Sequence, residues 1–216
     1  VTTLLRTALL FAALGACRGG PAPTGTVAVA ADVPMAAAPV KKGQAEAIFA
    51  SGCFWCSEKD FEKVDGVLEV ESGYAGGKLD HPTYKQVGTG ITGHTEAIRV
   101  VYDPKKVSYE TLLDWYWHHV DFFDGGGQFC DRGSQYRPAI LPLDETQRTA
   151  AEKSKAGIEA KFGKSVAVKL EDPGTFWVAE EYHQDFYKKN PSHYERYRMG
   201  CGRDARVAAI WAAVGE

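Results

Sequence analysis

The stretch AEAIFASGCFWCSEKDFEKV, residues 45–64, changes its period at a single glycine. Before Gly52 the residues alternate and are β-prone; after it Phe54, Phe61 and Val64 recur at helical spacing with charges between them. A strand must therefore turn directly into a helix at Gly52. Cys53 falls at the start of that helix and Cys56 one turn further on, on roughly the same face. The free N–H groups and dipole of a helix start favour an anion, so a thiolate at Cys53 is expected to form easily.

The same alternation of periods continues along the chain. GVLEVESGYAGG reads as a strand entering a glycine-rich turn, and HTEAIRVVYDP as a strand closed by Asp-Pro. SYETLLDWYWHHV reads as a helix with Ser108 as its N-cap. DGGGQFCDRGSQYRPAILPL is a glycine-rich loop leading to a strand over residues 136–143. DETQRTAAEKSKAGIEAKFG is an amphipathic helix in which Asp144 and Gln147 are spaced as in a capping box. SVAVKLED is a further strand, and VAEEYHQDFYKK and RDARVAAIWAAV are expected to be helical. Strands interspersed with helices in this way point to a mixed two-layer α+β domain. With 216 residues, 44% of them hydrophobic, the chain can bury one sizeable core.

The N-terminus has a different character. A single Arg6, an apolar run from Ala8 to Leu14 and small residues before Cys17 form a secretory signal pattern, too short to span a bilayer as a mature helix. Leu14-Gly15-Ala16-Cys17 is similar to the lipobox of bacterial lipoproteins, in which cleavage precedes a cysteine that is then lipidated. The expected organisation is a signal peptide over 1–16, a lipidated Cys17 with a flexible Ala/Pro/Gly-rich tether over 17–43, and a catalytic domain over 44–216. An ordinary signal peptide with a coincidental cysteine is the alternative. The expected location is the cell envelope, exported and membrane-anchored. A net charge of −3 offers no basic surface for nucleic acid.

Export leaves Cys53, Cys56, Cys130 and Cys201 where disulfides persist, so the CxxC pair reads as a redox centre, half of a metal site or a staple. Structural zinc sites pair two close-spaced motifs and only one is present, so no metal is expected despite His118, His119, His183 and His193. His183 reads as a structural hydrogen-bonding residue. In the strand around Glu96, period two puts Glu96 on one face with His94, Ile98 and Val100. A carboxyl on an apolar face is costly when ionised, so Glu96 is expected to hold its proton towards neutral pH and to be able to donate it. Asp131, Tyr84, Tyr136, Phe54 and Trp55 each admit a plain structural role when read singly.

Taken together and in order, GCFWC after a strand, GYAGG, PTYKQVGTGITGHTEAIRVVYDP and DRGSQYRPAI resemble the A-type peptide methionine sulfoxide reductases, over about residues 46–200. The resemblance implies a two-layer α+β fold with a ferredoxin-like, split βαβ core. It also implies reduction of the S epimer of methionine sulfoxide, free or in oxidised peptides and proteins, without a bound cofactor. Cys53 matches the nucleophile, Glu96 the acid, Tyr84 and Tyr136 the phenols, Asp131 the pocket aspartate, and Phe54 and Trp55 the aromatic floor. Family members commonly have glycine at the position of Cys56 and resolve with cysteines nearer the C-terminus, but a subgroup carries GCFWC. Cys56 is the expected resolving residue because of its proximity to Cys53, with Cys201 as the alternative. Cys130 is expected to be a pocket-wall or inert thiol, with redox contact as the alternative. A thioredoxin-like donor is expected to reduce the final disulfide, and the protein to act as a monomer. Two other readings stay open: a thioredoxin-type disulfide exchanger, for which Glu96 and the tyrosines have no task, and a noncatalytic lipoprotein stapled through its CxxC.

Overall fold

A computed structural model describes residues 33–215. The signal segment, Cys17 and the first part of the expected tether lie outside the described residues. The chain opens with a two-residue strand, β1 (Met35–Ala36), then β2 (Ala45–Ser51), helix α1 (Phe54–Phe61), β3 (Val67–Ala75), α2 (Tyr84–Val87), β4 (Thr95–Tyr102) and α3 (Tyr109–Trp117). A small hairpin of β5 (Gly127–Gln128) and β6 (Asp131–Arg132) precedes a 3-10 turn (Ser134–Tyr136). β7 (Pro138–Leu141), α4 (Glu145–Phe162), β8 (Lys169–Leu170) and β9 (Trp177–Val178) follow, and three helices close the chain: α5 (Phe186–Lys189), α6 (Pro191–Cys201) and α7 (Arg203–Ala212).

Seven strands form one sheet in the order β1-β9-β3-β4-β2-β7-β8. Its neighbours run antiparallel except β7 and β8, so the sheet is mixed. On one face Phe49, Ile98 and Val100 join Phe54 and Phe61 of α1, Leu112, Leu113 and Tyr116 of α3, and Ala151 and Ile158 of α4 in the main core. Phe49 stacks on Phe61 at 5.1 Å and on Tyr116 at 5.4 Å between ring centroids, an arrangement that adds to the area the rings bury. The opposite face carries smaller residues, Ala50, Ala75, Ala97 and Ala139 among them, packed with Phe176. Irregular segments cover it: Ala37 N–H donates to Phe176 O at 3.1 Å and Gly76 N–H to Pro173 O at 2.9 Å. Arg99 on this face pairs with Glu46 and, at 2.7 Å, with Glu71, and donates to Ala38 O at 2.7 Å.

Three expectations are corrected. Residues 33–43, read as tether, include a strand paired with β9 and the Ala38 contact to Arg99, so this part is bound to the domain. The strand expected over 136–143 is confined to Pro138–Leu141, because Tyr136 closes the 3-10 turn that precedes it. The helix expected over 178–189 is reduced to Phe186–Lys189. Val178 belongs to β9, and Gln184 turns its side chain onto β3, accepting from Ser72 N–H at 2.9 Å and donating to Ser72 O at 2.8 Å. The amide thereby satisfies backbone groups that a neighbouring strand would otherwise serve. The capped helices match their reading. Thr111 N–H donates to Ser108 Oγ at 3.2 Å, and Gln147 N–H to Asp144 Oδ1 at 2.8 Å.

Candidate active site

β2 carries the chain to Gly52, whose φ of 83° and a Cβ that would lie 2.5 Å from Gln128 Cβ leave room for glycine alone. Cys53 is the N-cap of α1 and is 6% exposed. The turn is held from behind: Ser51 Oγ and Ser57 Oγ share a 2.6 Å hydrogen bond, and the buried Arg203 guanidinium donates to Ser51 O and, at 2.8 Å, to His119 O.

The first-turn donors of α1 do not face the thiol. Phe54 N–H donates to Glu96 Oε2 at 3.1 Å, while the Cys56 and Ser57 N–H groups bond to Cys53 O. This corrects the expectation of an easily formed Cys53 thiolate. Burial pushes the Cys53 thiol up, and the neighbouring Cys56 and Glu96 add to the push. Cys56 is instead lowered to about 7, because it accepts a hydrogen bond from Cys53 and lies near the Arg203 and Arg198 guanidinium groups.

Glu96, 3% exposed, lies across from Tyr74 in the β3–β4 ladder. Burial raises its carboxyl to about 8 despite the Phe54 N–H, and the Asp131 charge contributes in the same direction. It is a neutral acid beside a thiol. Tyr84 opens α2, with its N–H on Glu180 Oε1 at 2.8 Å; Glu180 Oε2 also accepts the Tyr74 hydroxyl at 2.7 Å. Burial and the nearby Glu96 raise Tyr84 to about 12, and the same two causes raise Tyr136, with which it is hydrogen-bonded. Both phenols keep their protons at neutral pH and can donate.

Cys53, Phe54, Trp55, Tyr84, Glu96, Asp131, Tyr136 and Tyr197 line a single cleft of about 50 Å³. Trp55 lies face to face on Phe186, with centroids 3.7 Å apart and planes 8° apart, and its Nε1–H donates to His183 Nδ1 at 3.1 Å. Burial lowers His183 to about 4, so the ring is neutral, in keeping with a structural role. The Asp131 carboxyl is raised by burial and accepts the Tyr197 hydroxyl, which is also hydrogen-bonded to Cys53.

The cleft thus brings together seven of the residues expected from sequence, while Cys56 sits one turn behind, buried against Phe186 and Tyr194. Cys201 is not at the cleft. It forms a disulfide with Cys130, across 71 residues of sequence, which corrects the reading of Cys130 as an inert thiol. Among the described residues the free cysteines are Cys53 and Cys56. Tyr197, Glu180 and Arg203 escaped sequence reasoning. The four-residue spacing of Tyr197 and Cys201 on α6 is the one local signal that links the first of them to a cysteine. Among the described residues two groups converge as metal ligands would: Cys130, Asp131 and Cys201, and Glu58, Glu62 and Asp185. The first has its thiols in the disulfide. In the second, Glu58 accepts from Ser72 Oγ and Asp185 N–H, and Lys188 pairs with Glu62 and Asp185.

Residues 45–214 match the family described as "Peptide methionine sulfoxide reductase". Among curated proteins, the chain is 49% identical over 173 residues to peptide methionine sulfoxide reductase MsrA of Listeria innocua, covering 79% of this chain and 98% of that one. It is 50% identical over 183 residues to peptide methionine sulfoxide reductase MsrA 2 of Caulobacter vibrioides, covering 84% of this chain and 91% of that one. Among solved structures, the fold is similar to reduced Mxr1 from Saccharomyces cerevisiae, with TM-score 0.67, 29% identity, and 70% and 88% of the two chains covered. It is also similar to methionine sulfoxide reductase A of Corynebacterium diphtheriae, with TM-score 0.61, 31% identity, and 70% and 77% covered.

Proposed function

Since this chain belongs to the peptide methionine sulfoxide reductase family, we propose that it reduces the S epimer of methionine sulfoxide, free or in oxidised peptides and proteins, to methionine. The observation that carries the reading is the buried Glu96 carboxyl, raised by that burial, lining the same cleft as the Cys53 thiol. A sulfoxide sulfur is a poor electrophile until its oxygen takes up a proton, so a thiol nucleophile and a neutral acid must act together. In this mechanism the oxygen faces Glu96, Tyr84 and Tyr136, which donate to it as charge develops. The methyl group rests on Phe54 and Trp55, and Asp131 holds the neighbouring part of the substrate. Cys53 sulfur attacks and takes the oxygen. Methionine leaves, and Cys53 becomes a sulfenic acid.

Cys56 then attacks that sulfur, forming a Cys53–Cys56 disulfide and releasing water. Its low pKa supports this role, as do its hydrogen bond to Cys53 and the engagement of Cys201 with Cys130. A thioredoxin-like dithiol donor returns the pair to thiols, and no bound cofactor enters the cycle. The finer fold assignment is a ferredoxin-like core, supported by the succession β2-α1-β3-β4-α3-β7 with spatial order β3-β4-β2-β7. Upstream, the lipobox pattern at Cys17 supports a lipid-anchored protein located in the envelope and acting on oxidised envelope proteins. The domain boundaries follow as a signal over 1–16, a lipidated tether from 17, and the reductase domain to 216.

The test is a single turnover of reduced protein with each pure epimer and no added reductant, counting methionine per chain. About one methionine from the S epimer alone, with loss of two thiols, is expected. Methionine from neither epimer, with the fold intact, refutes the reading.

A further inference from the structure

Three consecutive residues of the loop after α3 are each tied to the C-terminal helices. The Phe129 ring, on a backbone with φ of 56°, lies 4.4 Å from the Arg203 guanidinium; Cys130 is bonded to Cys201; and Asp131 accepts the Tyr197 hydroxyl. The two outer ties continue inward to the nucleophile. Arg203 donates to Ser51 O, two residues before Cys53, and the Tyr197 hydroxyl is hydrogen-bonded to the Cys53 thiol. The covalent tie lies between them. It joins the residue next to Asp131 to a residue one helical turn beyond Tyr197, so both of these cleft-lining groups are set by the same cross-link. Cys130 is exposed and Cys201 half-buried, so the bond is open to a dithiol.

We propose that the Cys130–Cys201 disulfide is a positioning clamp for the substrate cleft, which grips the sulfoxide well while this bond is intact and loosely once it is reduced. The inference rests on the sulfoxide-reductase reading of the cleft. A dithiol reductant opens the clamp by delivering two electrons and two protons: the S–S bond breaks, Cys130 and Cys201 become thiols, and the reductant becomes a disulfide. Residues 129–131 then keep the Asp131–Tyr197 hydrogen bond to α6 and the Phe129–Arg203 contact to α7, without the covalent bond that fixes the register of Asp131 and Tyr197. Both line the cleft wall and neither takes the oxygen, so their displacement loosens the grip on the sulfoxide, while the Tyr197 hydrogen bond to Cys53 also ties them to the nucleophile.

The experiment compares wild-type protein in two thiol states, assigned by alkylation and mass: Cys53 and Cys56 reduced with the clamp closed, and all four reduced. Each, freed of reductant, undergoes a single turnover across a range of S-epimer concentrations. The clamp predicts that opening it raises the half-saturating sulfoxide concentration about tenfold, with any change in limiting rate reporting the Tyr197–Cys53 contact separately. It also predicts one methionine per chain in both states, and that Cys130→Ala/Cys201→Ala reproduces the open state. Equal half-saturation overturns the clamp, with or without a fall in melting temperature, and leaves the bond a staple. Two methionines per chain from the four-thiol form overturn it in favour of an electron relay. If the double variant does not fold, the two wild-type states still decide. Methionine from neither state at any concentration strikes the reductase reading itself.

Discussion

Glu96 shows how one buried side chain can set both reactivity and stability. The ordinary value of a glutamate carboxyl here is 4.5 and burial raises it to about 8, so across that window the unfolded chain releases a proton that the native protein keeps. Stability therefore falls as pH rises through the window, by about 1.4 kcal/mol per pH unit from this group, and levels off above its upper end. Glu58, raised to about 7 chiefly by burial, acts in the same direction. Glu96→Gln removes the acid and the titration together. Its reduction rate at neutral pH is expected to drop by about 100-fold or more. Its melting temperature relative to wild type should be higher at pH 8 than at pH 5. An unchanged rate removes Glu96 from the mechanism, and a pH-independent difference in melting temperature removes the titration argument. At the neighbouring thiol, Cys56→Ser should release one methionine and then stall, with Cys53 trapped as a sulfenic acid detectable by a sulfenate-specific nucleophile. Sustained cycling with a dithiol donor assigns the resolving role elsewhere.

Among the elements, the β2–α1 turn carries the tightest constraint. Gly52→Ala places a side chain at a φ of 83° and against Gln128. Gln128 in turn accepts from Asp121 N–H at 2.8 Å and donates to Asp121 O at 2.9 Å, so a displaced Gln128 shifts the loop that leads to Asp131. The substitution is expected to destabilise the protein by about 3 kcal/mol in denaturant titration. A loss below about 0.5 kcal/mol means that the turn relaxes freely. The elements best read from sequence were those with local causes: the turn at Gly52, the Ser108 and Asp144 caps, and the apolar face of β4 around Glu96. The tail from Glu180 to Asp185 was misread because its polar side chains bond to distant backbone, Glu180 to Tyr84 N–H and Gln184 to Ser72. Helical periodicity carries no record of such partners.

For the whole molecule, two regions are linked to the sheet at opposite ends of the chain. Residues 33–40 close its small-residue face through Ala37 and Ala38, and the C-terminal helices close the cleft through Tyr197 and brace the elements behind it through Arg198 and Arg203. Arg198, bonded to Asp60 and Tyr194 at 2.9 Å each, anchors α6 against α1. No helix among the described residues is long and apolar enough to cross a membrane. Membrane attachment, as proposed, depends on the segment upstream. Cys17→Ala is expected to abolish acylation and move the protein out of the membrane fraction; persistent membrane association refutes the lipid anchor. The sequence alone determined the α+β class and the place of Cys53 at a strand-to-helix turn, and its resemblance to a known family picked out the set of residues now found around one cleft. Each of these follows from periodicity, from a glycine, or from motifs read in order. Only the tertiary structure decided which cysteines pair, how burial acts on the Cys53 thiol, and that Tyr197, Glu180 and Arg203 lie around the site. Those outcomes depend on burial and on charges brought together from distant parts of the chain, and neither is encoded at any single position.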